Sequence, residues 1–128
     1  MHGGESGQAT LELALVLPAL LVVLLGAVQL ALVQHAGSVA DTAAAEGARL
    51  AASEGGSLLE GAERTREVLR AGLGTSGSGF SVRAEHRGEV VATEASGRYR
   101  LFIPWVRDLH VRIESRSEVR REGLRGGP

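Results

Sequence analysis

Cysteine and lysine are both missing from this chain of 128 residues. Without cysteine there are no disulfides, no thiolate metal ligands and no thiol nucleophile. That is compatible with life outside the cytoplasm without requiring it. All fourteen basic residues are arginines, and the net charge of −1 gives no electrostatic reason to expect a nucleic-acid partner. Aromatic residues are scarce at 3%: Phe80, Tyr99, Phe102 and Trp105, all in the second half. With so few large side chains the water-soluble core must be thin and must lean on a helix or a partner. The most informative absence is of charge, for no Asp, Glu or Arg lies between Glu12 and Asp41.

An apolar run fills that gap. Across residues 13–33 only Gln29 is polar, and Leu, Val and Ala dominate. A helix of this length rises about 1.5 Å per residue and spans roughly 30 Å, the thickness of a bilayer's hydrocarbon core. A soluble helix would carry a polar face, and the first four turns here have none. The run therefore reads as a transmembrane helix. Pro18 removes a backbone donor and crowds the carbonyl of Ala14, so a kink is expected there, with Gly26 as a second soft point. A cleaved signal peptide is the competing reading. It needs a basic flank and a shorter apolar stretch, and residues 1–12 contain no Lys or Arg. Charge bias does not orient the span, since Arg49 is the first basic residue on either side. A short N-terminal flank and a longer C-terminal body make N-in, C-out the simpler topology.

Residues 1–6 are glycine-rich and polar, and read as a disordered leader. Past the run the helical pattern continues through residues 34–53, without proline and rich in alanine. Gly37, Ala40, Ala44, Gly47, Ala48 and Ala51 recur at three- and four-residue spacing. They form a stripe of small residues that is either a packing seam or a by-product of composition. Gly55 and Gly56 end the helix. Ser57 and Glu60 then match a capping box for a second helix. Its apolar side is read as Leu58, Leu59, Ala62, Leu69 and Leu73, with Glu60 and Arg64 an i, i+4 pair on the other side. Residues 74–79 read as a flexible linker.

From Phe80 the period changes to two. Phe80, Val82 and Ala84 alternate with polar residues, and residues 87–89 read as a turn. A long strand follows over residues 90–103, with Gly97 expected at a bulge or bend. Residues 104–108 read as a loop. In the last strand Leu109, Val111 and Ile113 alternate with His110, Arg112 and Glu114. Its polar face continues as Arg116, Glu118 and Arg120, opposite charges two residues apart, as on a solvated sheet. The fold class is α+β: a long N-terminal helix, transmembrane below and soluble above, a short second helix, and a small three-stranded antiparallel sheet packed on the long helix.

Chemistry is hard to find. His2, His35, His86 and His110 show no metal-ligand spacing, and no glycine-rich loop with a lysine could cradle phosphate. The expectation is of no enzyme, cofactor, metal or small-molecule substrate. Glu12 stands apart. A carboxylate at the mouth of a span either sits at headgroup level favouring the helix N-terminus, or waits for a partner.

The stretch Gly7-Gln8-Ala9-Thr10-Leu11-Glu12, running into Leu13-Ala14-Leu15-Val16-Leu17-Pro18, resembles the N-terminus of TadE-like proteins. These are minor pilins or pseudopilins of Tad (Flp-type IV) pilus systems. The alanine-rich residues 41–52 resemble the segment that follows the span in that family. The resemblance implies a pilin-like fold, with Gly7 as the last leader residue and a prepilin peptidase cutting between Gly7 and Gln8. It also implies that Glu12, fifth in the mature chain, pairs with the N-terminal amine of a neighbouring subunit. Expected partners are the membrane, other pilin or pseudopilin subunits and the peptidase. The resulting layout is a leader over 1–7, a transmembrane helix over 8–34, its soluble extension over 35–56, an extracytoplasmic αβ head over 57–122 and a disordered tail over 123–128. The rival function is an unprocessed, membrane-anchored binding module.

Overall fold

The protein is described by a computed structural model, covering the backbone of residues 3–103 and 106–121 and side chains from residue 7 onward. The chain divides into two compact units, Met1–Leu32 and Val33–Pro128. Helix α1, Gly3–Ala52, runs through both. It begins inside the segment expected to be a disordered leader. Once the alanine- and leucine-rich residues beyond Gln8 have nucleated a helix, each added turn costs little, even for a glycine-rich sequence. Pro18 lies within α1. The expected tail over 123–128, and Pro104 and Trp105 of the expected loop, lie outside the described residues.

In the first unit α1 is apolar all round. Leu11, Leu15, Leu20, Leu21, Val23 and Leu30 are exposed on every side of it. Gln29, the single polar residue of the run, is buried.

In the second unit α1 becomes the floor of a small core. Ala36, Ala40, Ala43, Ala44, Gly47, Ala48, Ala51 and Ala52 are buried. The small-residue stripe is therefore a packing seam. Gly37 is corrected out of it, being only half-buried with nothing close to its Cα face, and Ala36 takes its place. Helix α1 stops at Ala52, Ser53 Oγ donates to the Leu50 carbonyl at 2.6 Å, and Gly55 takes φ +79°. Only glycine adopts that conformation without strain.

Helix α2, Leu58–Leu73, starts where the capping pattern places it, with Ser57 Oγ accepting from the Glu60 amide at 3.1 Å. Its buried side is Gly61, Ala62, Thr65 and Leu69. Leu59, expected on that side, is 67% exposed. At about 100° per residue it falls well off the line through Ala62 and Leu69. Arg64 pairs with Glu46 of α1 at 2.7 Å and with Glu67 at 3.0 Å, rather than with Glu60.

The expected flexible linker is ordered as a short helical turn, α3, Thr75–Ser78. Gly77 explains why. It is buried so tightly that a Cβ there would fall 2.6 Å from the Leu69 carbonyl carbon. Composition alone suggested flexibility, and tertiary packing overrides it.

Strands β1 (Ser81–Arg87), β2 (Val90–Arg100) and β3 (His110–Arg120) form an antiparallel meander in that order. Gly88 and Glu89 make the two-residue β1–β2 turn, with Gly88 at φ +61°. Glycine at the first central position is the II′ preference. Gly97 makes no bulge: it pairs with Ile113 in an unbroken register. A Cβ there would fall 2.5 Å from Cδ1 of Phe80. The glycine makes room for the ring. Strand β2 ends at Arg100 rather than at Ile103.

One core cluster joins Ala36, Ala40 and Ala43 of α1 to Leu69, Phe80, Ala95 and Ile113. A second joins Ala51 and Ala52 to Val91, with Leu58 and Val119 packed against it. Ser115 donates to Asp41 at 2.6 Å between the two. In this unit α1 therefore runs alongside β3 in the same direction, and the sheet has the cover its apolar face requires.

Candidate functional site

Three readings converge on the N-terminal end of α1. Gly7, Gln8 and Glu12 all lie on this helix and all are exposed. Five residues of helix place Glu12 about 7.5 Å along the axis from Gly7 and about 140° around it. The two do not share a face, and they do not build a pocket. They are positions on a rod.

Gly7 has no structural duty among the described residues. A Cβ built on it meets nothing within 4 Å, and its φ is not in the left-handed region. Glycine there costs the helix about 1 kcal/mol relative to alanine. The segment before it contains Gly3 and Gly4 as well, so α1 opens easily at this end. Glu12 is exposed between Leu11 and Leu13, which are 61% and 56% exposed. Pro18 lies about 1.7 turns beyond Glu12, and it leaves the Ala14 carbonyl without its usual helical donor.

Among the described residues α1 is the single helix long and apolar enough to cross a membrane. Large apolar side chains cover its whole circumference in the first unit, and water would not tolerate them in that number. The helix fits a membrane anchor.

The head offers different chemistry. The outer face of the sheet is an ion-pair lattice centred on Arg116. Its Nε donates to Glu118 at 3.0 Å, and its Nη atoms reach Glu85 at 3.3 Å and Glu94 at 3.5 Å. The hydrogen bond to Glu118, then that to Glu85, holds the guanidinium pKa above its ordinary value, while partial desolvation opposes them. Arg112–Glu114 and Arg120–Glu89 extend the lattice at 2.7 and 2.8 Å. These pairs are solvent-exposed and shape the surface more than they stabilise it. No group of three or more His, Asp or Glu side chains converges on a metal-sized site among the described residues.

The loop expected over residues 104–108 is entered earlier, because β2 ends at Arg100. Beyond Arg100 the Leu101 amide donates to the Leu109 carbonyl at 2.8 Å, and Val106 bridges Ile103. Phe102 is 76% and Val106 45% exposed there. Asp108 takes φ +57°, the one described non-glycine residue with positive φ. The continued alternation through Tyr99, Leu101 and Ile103 hid the break after Arg100.

Comparison with known families agrees with the N-terminal geometry. Residues 7–49 match the family model described as TadE-like protein. The match opens at Gly7 and closes within α1, leaving the rest of the head outside it. Neither the curated proteins nor the solved structures give a match. Over α1, from Gly7 to Arg49, the chain is similar to TadE-like proteins, and that likeness supports a Tad pilus-related protein in general.

Proposed function

We propose that this protein is a minor pilin or pseudopilin that acts in assembly of a Tad (Flp-type IV) pilus. A prepilin peptidase cuts between Gly7 and Gln8. Before assembly the apolar part of α1 holds the chain in the cytoplasmic membrane, N-terminus in and head out. After assembly the same helix packs among pilin helices, and the chain passes into the pilus. Pro18 frees a carbonyl and gives the helix a point of flexure for that packing. Glu12 supplies the charge that a neighbouring subunit's new amine neutralises in a low-dielectric bundle.

The observation that carries this reading is Gly7. It is a glycine that its own fold does not require, five residues before a carboxylate at the mouth of the apolar run, where the TadE-like match begins. Its place at the start of the TadE-like match, with open space around it, supports recognition by a peptidase. A peptidase that binds an extended substrate needs the helix to open around the cut, and the neighbouring glycines favour that.

The test is mass spectrometry of the protein isolated from its native membrane. The expected mature chain starts at Gln8, with the terminal glutamine free or cyclised. Replacing Gly7 by a bulkier residue is expected to leave the full chain. A chain that keeps residues 1–7 in cells with active prepilin peptidase would return the protein to the class of unprocessed anchored modules.

A further inference from the structure

One row on the outer face of the sheet carries unbalanced charge. The Leu101 amide donates to the Leu109 carbonyl, and the Arg121 amide to that of Glu89. Odd-numbered residues of β2 and β3 therefore exchange the main-chain bonds, and even-numbered pairs fall between them. Arg98 and Arg112 form such a pair. Facing residues of this kind have Cα atoms about 4.5 Å apart, the closer of the two arrangements in an antiparallel ladder. Among the paired residues this is the one place where two arginines face each other. Like charges in facing positions repel.

Further along the same face the charges are matched. Arg116 stands opposite Glu94 and gathers Glu85, Glu94 and Glu118 within 3.5 Å. Beside Arg98 and Arg112 there are hydroxyls instead, for Ser81 and Ser96 face each other across β1 and β2. Arg112 has Glu114 at 2.7 Å, while Arg98 has no ion-pair partner among the described residues. Two arginines and one glutamate leave this corner with a net positive charge. Strand β1 starts at Ser81, so it puts no side chain beside Arg98, and Gly79 at the end of α3 adds none. The result is an open cleft of about 320 Å³, lined by Gly79, Ser81, Ser96, Gly97, Arg98 and Arg112.

We propose that this corner of the sheet binds a phosphoryl group carried on a small polar molecule. Two guanidinium groups and two serine hydroxyls can all donate, and a tetrahedral oxyanion offers them more acceptors than a carboxylate does. A phosphate monoester carries a charge of about −1.5 to −2 at neutral pH, which relieves the repulsion between the facing arginines. The cleft is larger than the ion and open to solvent, so the molecule bearing the phosphoryl group has room to lie in it. Glu114 competes with the ligand for Arg112, and the ligand binds more tightly once that carboxylate is neutral. The site stands on the head alone and does not depend on how the apolar part of α1 is used.

The test is a titration of the full chain, isotope-labelled in an uncharged detergent, with glycerol phosphate, inorganic phosphate or acetate. Chloride holds the ionic strength constant. Nuclear magnetic resonance follows the Gly79 and Gly97 amides and the arginine Nε–H groups. Glycerol phosphate and inorganic phosphate are expected to give saturable shifts at Gly97, Arg98 and Arg112, with millimolar affinity, and acetate much weaker ones. Arg98→Gln should weaken binding about fivefold and Glu114→Gln should tighten it about fivefold, the worth of one exposed charge at close range. A gain in affinity cannot come from misfolding. Arg120→Gln, at the far end of β3 and paired with Glu89, should change nothing. Shifts that grow without saturating, or that survive Arg98→Gln undiminished, would overturn the site. So would acetate binding as tightly as glycerol phosphate. Saturation by inorganic phosphate but not by glycerol phosphate would mark an adventitious ion only and equally overturn the proposal.

Discussion

Gly47 of α1 and Gly61 of α2 touch backbone to backbone. A Cβ on Gly47 would fall 2.6 Å from the Gly61 carbonyl oxygen, and a Cβ on Gly61 would fall 2.7 Å from that of Gly47. Each glycine makes room for the other helix's main chain. Thr65, bonded to the Gly61 carbonyl at 2.9 Å, and Ala51 complete the contact. The seam is what lets a head with so few large side chains exclude water.

Gly61→Ala therefore tests the seam. Alanine gains about 1 kcal/mol of helix propensity, yet it must separate two backbones that cannot shift independently. Overpacking of this kind costs about 1–3 kcal/mol, so the net change should be destabilising. Thermal unfolding of the full chain in detergent, followed by circular dichroism, should show a lower midpoint. By contrast, Gly37→Ala, where nothing lies within 4 Å, should raise it.

The bond from Ser115 to Asp41 predicts an asymmetry. Ser115 is 8% exposed, whereas Asp41 lies on the exposed side of α1. Asp41→Ala leaves a buried hydroxyl without its acceptor, at a cost of about 1–3 kcal/mol. Ser115→Ala leaves a carboxylate that water can reach, and should cost clearly less. A double-mutant cycle by urea unfolding reads the difference. Equal single-mutant costs would mean that the bond ties the helix to the sheet only weakly.

Thr93 carries the opposite prediction. It is fully buried in β2, and its Oγ1 has no hydrogen-bond partner among the described residues. A buried hydroxyl left unpaired costs about 1–3 kcal/mol, and valine has nearly the same shape. Thr93→Val should stabilise the chain, seen as a higher urea midpoint with an unchanged slope.

These positions also show what could be read in advance. The long helix, the capped second helix and the alternating strands were legible because period and caps are local properties. Gly97 and Gly77 were misread because the reasons for them, the Phe80 ring and the Leu69 carbonyl, are brought in by the fold. The end of β2 at Arg100 was hidden by an alternation that continues through Tyr99, Leu101 and Ile103. The N-terminal site behaved in reverse. The spacing of Gly7 and Glu12 left their roles open, the resemblance to TadE-like proteins gave them an expected meaning, and the fold adds that Gly7 has open space around it and that Glu12 is exposed. The N-terminal end of α1 is read from local sequence, while the head is written in long-range contacts.

Glu12→Gln separates the assembly role from a headgroup anchor. The side chain is exposed on α1, so the substitution should leave the helical content and the unfolding midpoint of the isolated chain unchanged. If Glu12 stays at the membrane surface, favouring the helix N-terminus, the variant loses at most about 1 kcal/mol and assembles normally. If it meets a neighbour's amine inside a bundle, removing the charge leaves that amine buried and unpaired, a cost of about 3–5 kcal/mol. That corresponds to more than about a hundredfold in subunit affinity. The measurement is the fraction of the protein that co-purifies with sheared pili, with the mature N-terminus checked in parallel. Retained cleavage with lost co-purification is the expected result. Unchanged co-purification would place Glu12 at the headgroups and leave Gly7 as the one residue of this helix end addressed to a partner.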